Sequence, residues 1–455
     1  MLRTHTCGEL TKKNVGEKVK LAGWIHTVRD HKKIGFLDIR DRYGMTQVVY
    51  DPIKIGTLRD ESVIIVEGKV VARGDKFLNK KIPTGEVEIK ADSIKILHEV
   101  ESLPFEVNKD KDISDDLKLK YRYLDLRKKE NIDKLVFRHK VLTTAREFLN
   151  NEGFLEIETP MLVRSTPEGA RDYVVPSRVN KGNFYALPQS PQLYKQILMI
   201  AGADKYYQIA RCLRDEDLRQ DRQPEHTQID LEISFVDEKD IMDLVERMYK
   251  YIFNKVLNIK LSKFSVLKYK DAKSKYKTDK PDLRKGDDKF SFCWVVDFPL
   301  FAYNEDEKKW EPEHHMFSMP KDEHIKYLDN KKDLGKVEGK LFDLVLNGIE
   351  LGSGSIRISN PDLQEKIMKV IGMSKQEANE KFGFLLEAYK YGGPVHGGMG
   401  LGLDRLVALM QGLNDIREVI AFPKNKAAQN PMDGCPSKIS DKQLKELGVK
   451  VDEKK

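Results

Sequence analysis

The segment RDEDLRQDRQPEHTQID, Arg214–Asp230, concentrates charge of both signs directly before an apolar run. It holds six carboxylates and three arginines in seventeen residues, and the LEISFVD that follows alternates like a strand entering a core. Arg214 ends an apparent strand, KYYQIARCL, and Glu216 is predicted to share its face. An arginine held at a strand end can bind a phosphate through two parallel hydrogen bonds. The alternative is a solvated loop with local ion pairs.

A glycine-rich segment near the C-terminus, GGMGLGLDRLVALM, is a second candidate ligand site. Glycines let the backbone approach a ligand closely, and Asp404 and Arg405 then open an apolar helix where a phosphate or a base could bind. The glycine spacing is neither a Rossmann nor a P-loop pattern. Gly402, Asp404 and Arg405 are therefore candidate ligand contacts, and the alternative for Gly402 is a packing role.

Three charged residues at equal intervals, Asp343, Glu350 and Arg357, lie in FDLVLNGIELGSGSIRI. The interval is odd and would change face along a single strand, so a turn at the Asn-Gly pair must intervene. The pattern predicts a hairpin that presents carboxylates from two adjacent strands. Such carboxylates beside a phosphate are typical ligands of Mg²⁺, so Asp343 and Glu350 are candidate metal ligands.

The composition is typical of a globular protein and not of a membrane or disulfide-rich protein. The 455 residues are 40% hydrophobic and 34% charged, which is enough chain for two or three domains. No apolar run approaches the roughly 20 residues of a membrane helix. The N-terminus has no leader-like pattern, and four scattered cysteines favour a reducing compartment. We expect a cytoplasmic protein without membrane association.

Most of the net charge lies in one stretch, residues 260–289. The whole chain carries +7, and this stretch holds eleven Lys or Arg against five Asp or Glu, a net of +6. A lysine-rich segment is most often a solvated surface, and a polyanionic partner is the alternative. The charge count leaves both interpretations open.

The elements that must position these residues fall into two groups. Residues 1–103 contain four to five short alternating strands, which predicts an OB-fold barrel. Residues 104–130 are polar and interrupted, like a linker or hinge. An amphipathic helix follows, with Asn131 as its predicted N-cap and Gly153 as its end. Mixed strands and helices then predict an α+β domain over 131–425, with an antiparallel or mixed sheet flanked by helices, and 426–455 form a C-terminal extension.

Several segments together resemble one enzyme family. GFLEIETPML, RCLRDEDLRQDRQPEHTQIDLE and GMGLGLDRLVAL are similar to motifs 1, 2 and 3 of class II aminoacyl-tRNA synthetases. RSTPEGARDY, LPQSPQLYKQ, DKPDLR, WVVDFPLF and HHMFSMP resemble the aspartyl-tRNA synthetases of bacterial type, and so does the N-terminal region. The resemblance runs in collinear order over nearly the whole chain. It implies ATP-dependent activation of aspartate, transfer to tRNA, Mg²⁺ as cofactor, and a homodimer.

The resemblance also implies roles for individual residues. Arg214 would hold the α-phosphate and Arg405 the γ-phosphate of ATP, and Asp343 with Glu350 would bind Mg²⁺. The other implied ATP contacts are Glu216, Gln223, Glu350, Gly402 and Asp404. The implied aspartate contacts are Glu168, Gln192, Lys195, Asp230, His314 and Arg357. Roles for His226, His315 and Glu232 are left open.

The choice of amino acid depends on two cations. A buried carboxylate is costly unless it is paired, so an aspartate pocket should offer fixed positive groups. Lys195 and Arg357 supply two. A lysine pocket would need acidic groups there, and an asparagine pocket would lose at least one cation. The pattern favours aspartate, with an asparaginyl-type synthetase as the alternative.

The N-terminal barrel is the implied reader of the anticodon. Phe36 is predicted to stack on a base, and the predicted polar contacts are Arg29, Gln47 and Glu88. The alternative places Phe36 in the core and Gln47 on an unused surface. Two cues about the tRNA conflict. His31 resembles enzymes that accept both tRNA-Asp and tRNA-Asn, whereas Lys76 is closer to enzymes restricted to tRNA-Asp.

One feature departs from the bacterial pattern. A large inserted domain usually separates DKPDLR from WVVDFPLF, and here only residues 285–293, KGDDKFSFC, stand between them, so that domain is predicted to be absent near 284–290. The lysine-rich stretch upstream could replace its contacts with tRNA through Lys273, Lys275 and Lys277. A catalytically silent RNA-binding paralogue and a ligase making free asparagine are the remaining alternatives.

Overall fold

The protein divides into two compact units. The computed structural model describes residues 1–31, 33–109, 113–166 and 170–452. One unit spans Met1–Ile132 and the other Asp133–Lys455. The finer boundaries predicted from the sequence stay a prediction.

The first unit contains a closed five-stranded barrel. Its strands are β1 Lys18–His31, β2 Ile34–Arg40, β3 Met45–Tyr50, β4 Val63–Ala72 and β5 Val87–His98. They follow the order β1-β2-β3-β5-β4, with β3 and β5 parallel and the other neighbours antiparallel. Side chains alternate across a strand, so apolar residues such as Leu21, Leu37 and Val48 are fully buried inside the barrel. The predicted OB-fold barrel is confirmed.

The predicted linker packs within this first unit. It forms the short helices α2 Asp115–Lys120 and α3 Arg122–Asp125, while α1 Pro52–Ile55 belongs to the barrel connections. Arg127 donates from Nη1 to Oε2 of the buried Glu61 at 2.9 Å, and Arg40 pairs with the same carboxylate. Arg127 therefore anchors this segment to the barrel, and Arg40 of β2 holds the same carboxylate from within the barrel.

The second unit is built on an eight-stranded sheet. Its strands are β6 Leu155–Glu156, β9 Lys205–Leu213, β10 Glu225–Ser234, β11 Ser265–Lys268, β12 Phe292–Val296, β15 Leu341–Leu346, β16 Ile349–Ile356 and β17 His396–Gly402. They follow the order β11-β12-β15-β16-β17-β10-β9-β6. The pairs β11–β12 and β6–β9 are parallel and the other pairs are antiparallel. Two ribbons stand apart from this sheet, β7 Val174–Pro176 with β8 Phe184–Ala186, and β13 Phe301–Asn304 with β14 Lys309–Pro312. The expected mixed sheet flanked by helices is confirmed.

Three helices cover one face of the large sheet. Residues of α4 Lys129–Asn151, α6 Glu238–Leu257 and α10 Leu403–Met410 share a buried cluster with the strands. The other helices are α5 Gln192–Ile200, α7 Tyr269–Tyr276, α8 Pro361–Val370, α9 Lys375–Tyr389 and α11 Asp441–Leu447. Short 3₁₀ helices cover Lys12–Asn14, Asp75–Phe77, Asp322–Asp329, Lys331–Lys336 and Ile416–Val419.

The ends of α4 test two predictions from the sequence. Gly153 follows the helix with φ +80°, the left-handed conformation that glycine adopts without a steric penalty, as predicted. Asn131 is not the N-cap, because the helix begins two residues earlier and the Asn131 amide donates to the Asp125 carbonyl at 2.9 Å. No described helix is long and apolar enough to cross a membrane.

Candidate active site

The candidate site forms on the sheet face opposite α4, α6 and α10. On β10, Ile229 and Leu231 pack in the core under these helices, so Asp230 and Glu232, one residue further along, point to the opposite face. The same alternation on β17 places Gly398, Gly400 and Gly402 on that face, because Met399 and Leu401 belong to the core. The strand period therefore gathers charged residues over a floor of glycines.

A cavity of about 380 Å³ lies on this face, a volume in the usual range for small-molecule sites. It is lined by twelve of the predicted residues, namely Gln192, Lys195, Arg214, Glu216, Gln223, Asp230, His314, Glu350, Arg357, Gly402, Asp404 and Arg405. Asp343 is buried beside it, and Glu168 lies outside the described residues.

Two arginines form one cationic group in the cavity. Arg214 is half-buried, its Nε donates to the Gln189 carbonyl at 3.4 Å, and it has no carboxylate partner in the described ranges. Arg405 donates from Nη1 to the Glu350 carbonyl at 2.9 Å and pairs with Asp221 at 3.2 Å. Burial together with these arginines and Arg211 lowers the pKa of His226 to about 3, so His226 is a neutral lining residue.

The predicted ATP contacts Glu216, Gln223 and Asp404 are engaged in hydrogen bonds and ion pairs with other residues of the protein. Glu216 pairs with Arg222 at 3.2 Å. The Gln223 amide accepts from the Lys424 backbone N–H at 2.8 Å and donates to the Lys424 carbonyl at 3.2 Å. Asp404 accepts from Arg138 and, at 2.8 Å, from the Thr227 N–H. These contacts favour positioning roles for Gln223 and Asp404, and their predicted contacts with ATP stay untested.

The carboxylates of the β15–β16 hairpin lie within electrostatic reach of each other. The predicted turn occurs at Asn347–Gly348, and Asp343 pairs across the hairpin with Ser353. Burial and the charge of Glu350 raise the pKa of Asp343, although His314, whose Nε2 lies 3.1 Å from Asp343 Oδ1, opposes that shift. Burial would raise the pKa of Glu350, but Lys280 at 2.7 Å from Oε2 leaves it lowered.

This pair is suited to Mg²⁺ in donor type and number. Mg²⁺ typically takes one or two protein carboxylates and completes its shell with water and phosphate oxygens. In the part of the chain that the structure describes, no three His, Cys, Asp or Glu side chains form a complete metal cluster. Asp343 and Glu350 could thus hold Mg²⁺ together with a phosphorylated substrate.

A second charged group is almost completely buried. Lys195 lies 3.1 Å from Asp230 and 3.2 Å from Glu232, and Arg357 donates to both oxygens of Glu232 at 2.8 and 3.0 Å. Burial raises the pKa of Asp230 to about 6 despite Lys195. Burial would also raise the pKa of Glu232, but Arg357 and Lys195 lower it to about 2. Arg357 also donates to His315 Nε2 at 2.8 Å, and burial and Arg357 hold the pKa of His315 well below 6.5.

Three polar atoms at the cavity have no hydrogen-bond partner among the described residues. They are Gln192 Nε2, Asp230 Oδ1 and His314 Nδ1. An unsatisfied buried polar atom is costly, so their common position in one cavity indicates that a polar ligand completes them.

Sequence reasoning left the importance of Glu232 and His315 open, and both prove central to this second group. Glu232 forms ion pairs with both buried cationic side chains, Lys195 and Arg357. The glycine at position 398 is the residue that could have indicated the importance of Glu232. Gly398 lies opposite Glu232 in the pairing of β17 with β10, and a Cβ on Gly398 would lie 2.0 Å from Glu232 Oε2. For His315 no local signal was available, since its contact with Arg357 joins residues far apart in the chain.

The barrel brings the predicted anticodon contacts onto neighbouring strands. Arg29 and Phe36 are register partners on β1 and β2, Phe36 is half-buried rather than in the core, and it contacts the His31 ring edge-on at 6.1 Å. Gln47 on β3 donates to Glu88 on β5 at 2.9 Å. Lys76 lies in the connection from β4 to β5, beside Phe77, which is 75% exposed and was not singled out from the sequence.

Two parts of the chain each match the sequence model of a known family. Residues 114–426 match the family "tRNA synthetases class II (D, K and N)", and residues 19–97 match "OB-fold nucleic acid binding domain". A relative from Caldanaerobacter subterraneus subsp. tengcongensis, "Aspartate--tRNA(Asp/Asn) ligase", is 42% identical over 99% of this chain and 98% of its own length. The chain belongs to the aspartate–tRNA ligase family.

Other members of the aspartate–tRNA ligase family match at similar extent. One from Treponema denticola carries the same printed name and is 42% identical over 100% of both chains, and "Aspartate--tRNA ligase" of Staphylococcus carnosus is 39% identical over 99% of both. The match to the Caldanaerobacter relative runs over 584 aligned positions, 129 more than the 455 residues of this ligase. The relatives therefore carry residues that this chain lacks.

Solved structures agree with the ligase fold. Asparaginyl-tRNA synthetase from Pyrococcus horikoshii, complexed with asparaginyl-adenylate, aligns with a TM-score of 0.75 at 24% identity, covering 93% of this chain and 98% of that chain. Aspartyl tRNA synthetase from Entamoeba histolytica aligns with a TM-score of 0.71 at 22% identity, covering 94% and 93%. At this identity the likeness establishes the fold, which both kinds of synthetase share.

Proposed function

We propose that this aminoacyl-tRNA ligase activates L-aspartate with ATP and transfers the aspartyl group to tRNA-Asp and tRNA-Asn. The observation that carries the proposal is one cavity with two separate cationic groups. Arg214 and Arg405 line the cavity together with His226, whose pKa they lower, and Lys195 and Arg357 share Glu232. A ligand with phosphates and a second anionic group matches this arrangement.

The first group is assigned to ATP. Arg214 would bind the α-phosphate, since it is half-buried and has no carboxylate partner in the described segments, and a bidentate phosphate contact satisfies such a guanidinium. Arg405 would bind the γ-phosphate after leaving Asp221. Asp343 and Glu350 would hold Mg²⁺, which, when bound, neutralises charge on the phosphate oxygens.

The second group is assigned to aspartate. The side-chain carboxylate would bind Lys195 and Arg357, and the α-ammonium group would bind the free Oδ1 of Asp230. Gln192 would donate from Nε2 to the substrate, and His314 would contact it through Nδ1. Glu168 is proposed near the ammonium group on family resemblance alone.

The proposed reaction needs no protein nucleophile. An oxygen of the aspartate α-carboxylate attacks the α-phosphorus, and the bond from phosphorus to the bridging oxygen breaks as pyrophosphate leaves. A ribose hydroxyl at the 3′ end of tRNA then attacks the activated carbonyl carbon, and AMP leaves. Arg214 would stabilise charge that develops on the phosphorus oxygens, and the other residues orient the reactants.

Two observations favour acceptance of both tRNAs. The relatives from Caldanaerobacter and Treponema carry "Asp/Asn" in their printed names, and His31 stands exposed beside Phe36, where an anticodon base would stack. Lys76, which resembles enzymes restricted to tRNA-Asp, argues against acceptance of tRNA-Asn. Restriction to tRNA-Asp is the competing proposal.

A homodimer is proposed from an exposed apolar surface on the second unit. The exposed side chains on and around β6, β7 and β8 are Leu155, Met161, Leu162, Val174, Val175, Phe184 and Tyr185. The bridge between Val163 and Ala186 brings Met161 and Leu162 close to the β7–β8 ribbon, and exposed apolar surface of this kind marks an interface. We also propose a cytoplasmic location, because all four cysteines are free.

The deciding experiment has two stages. Aspartate-dependent exchange of pyrophosphate into ATP tests activation, with asparagine as the competing amino acid. Charging of tRNA-Asp and tRNA-Asn transcripts then tests transfer. Exchange with aspartate but not asparagine, followed by charging of both transcripts, is the expected result. Preference for asparagine would identify an asparaginyl-type enzyme, absence of exchange a silent paralogue, and formation of free asparagine an asparagine ligase.

A further inference from the structure

The lysine-rich segment, residues 260–289, carries nearly all the net charge of the molecule. Its net charge is +6 and that of the whole chain is +7. The other residues are therefore close to neutral in sum. A charge concentrated in thirty residues creates a local positive potential that a dispersed charge of the same size does not.

Ion pairs within the protein neutralise only part of the positive charge of this segment. Lys268, Lys270 and Lys280 pair with carboxylates outside it, at 3.3, 2.7 and 2.7 Å. Lys273 and Arg284 pair with Asp279 and Asp282 inside it, at 3.0 and 2.6 Å. Lys273 is thus less available to a partner than the sequence alone suggested.

Six lysines remain exposed and without a carboxylate partner among the described residues. They are Lys260, Lys263, Lys275, Lys277, Lys285 and Lys289. Lys275 lies over the ring of Tyr276 at 5.2 Å, which fixes its stem but leaves its charge at the surface. Solvated lysines that approach no carboxylate are suited to a polyanion.

The segment borders the cavity. Lys280 reaches Oε2 of Glu350, which lines the cavity, at 2.7 Å. The Lys289 carbonyl accepts from the Asn347 side-chain amide at 2.9 Å, at the tip of the β15–β16 hairpin. A Cβ on Gly348 would lie 3.4 Å from Cβ of Asp282. The short connection from α7 to β12 therefore wraps the hairpin that carries Glu350.

We propose that residues 260–289 form a docking surface for the sugar–phosphate backbone of the tRNA acceptor arm. The inference rests on the proposed function, because an acceptor end that delivers its ribose to the cavity must pass close to the β15–β16 hairpin. RNA backbone phosphates are the polyanion that reaches this place during the reaction, and lysines bind them without sequence preference. The C-terminal end of the segment also reaches the place, near 284–290, where the sequence predicts a missing inserted domain.

The test neutralises four exposed lysines together, as Lys275→Gln, Lys277→Gln, Lys285→Gln and Lys289→Gln. The matched control is Lys239→Gln, Lys332→Gln, Lys369→Gln and Lys442→Gln, four exposed lysines outside the segment that have no carboxylate partner in the part of the chain that the structure describes. Both full-length variants are compared with the unaltered enzyme for tRNA Kd at several salt concentrations, KM for tRNA, and aspartate-dependent pyrophosphate exchange.

The segment variant is expected to bind tRNA at least about tenfold more weakly, with a salt slope reduced by about one per lysine that contacts a phosphate. Its pyrophosphate exchange should match that of the unaltered enzyme, and the control should stay within about twofold for tRNA. Equal tRNA Kd and salt slope in the two variants would overturn the docking surface. Absence of exchange in the unaltered enzyme would instead refute the proposed function, so the two failures are distinguishable.

Discussion

At the scale of single residues, the buried charges at the end of the cavity proposed for aspartate balance each other. Lys195 and Arg357 are matched by Asp230 and Glu232, and Lys195 and Glu232 are 2% exposed or less. Buried charges require such pairing because desolvation costs several kcal/mol per ion. An incoming aspartate brings one more anion, which Arg357 and Lys195 can share only at fixed positions. In the proposed binding mode, these two cations are therefore held in place before the carboxylate arrives.

Replacing Lys195 by leucine is predicted to damage aspartate use selectively. Truncating one partner of a buried charge pair between two binding partners costs about 2–5 kcal/mol, so KM for aspartate should rise at least about 30-fold, while KM for ATP changes less than about threefold. Pyrophosphate exchange measures both constants.

The control for that change is Arg247→Leu, which removes the partner of Glu152 in an exposed ion pair away from the cavity and should alter neither KM by more than about twofold. An equal loss for aspartate and ATP in Lys195→Leu would contradict the assignment. Thermal unfolding of both variants separates a binding defect from misfolding.

Aspartate binding should weaken at low pH through Asp230. Its pKa is raised to about 6 by burial, so the carboxylate that would accept the substrate ammonium becomes protonated below that pH. KM for aspartate should be flat above about pH 7 and rise about tenfold per unit below pH 6, while KM for ATP stays constant. Asp230→Asn should show a high KM without this dependence, and a retained dependence would assign the titration to another group.

At the scale of elements, β17 makes room for the charged cluster on β10. Gly398 lies opposite Glu232 in the register. A Cβ there would come within 2.1 Å of the Leu231 carbonyl and closer still to the Glu232 carboxylate. Glycine at this position lets two neighbouring strands hold a buried carboxylate between them, which explains its place in a strand despite its entropic cost.

Substituting Gly398 with alanine should therefore destabilise the second unit. Displacing backbone and a paired carboxylate is expected to cost about 2 kcal/mol or more and to raise KM for aspartate. Gly383→Ala is the control, since it lies inside α9 with its nearest contact 4.0 Å away, and it should stabilise by about 0.5–1 kcal/mol. Chemical denaturation of both variants gives the comparison, and equal stabilities would contradict the steric argument.

At the scale of the whole molecule, exposed apolar side chains and net charge occupy different parts of the second unit. The apolar surface lies on β6, β7 and β8, and the lysine-rich segment lies between α6 and β12. Separation of this kind allows one surface to bury against a second copy while the other stays open to a polyanion.

A charge placed in the apolar surface should prevent dimer formation. Leu162→Glu with Phe184→Glu puts two carboxylates where, in the proposed homodimer, apolar groups meet, and the variant is expected to elute as a monomer with reduced activity. Tyr391→Glu, at another side chain that is 79% exposed, should leave the mass unchanged. Light scattering coupled to gel filtration measures the mass, and a monomeric unaltered enzyme would refute the dimer.

The sequence alone determined the barrel, the mixed sheet, the β15–β16 hairpin and the family, because strand alternation, turn residues and collinear motifs are local signals. It also named twelve of the residues that line the cavity, and the roles given to them stay predictions. The tertiary structure decided the partners of these residues. It joined Glu232 to Lys195 and Arg357, left Arg214 without a carboxylate partner among the residues that the structure describes, and engaged the amide of Gln223 and the carboxylate of Asp404 in protein contacts. Such pairings depend on register between strands distant in the chain and on the balance of buried charge, which no local pattern records.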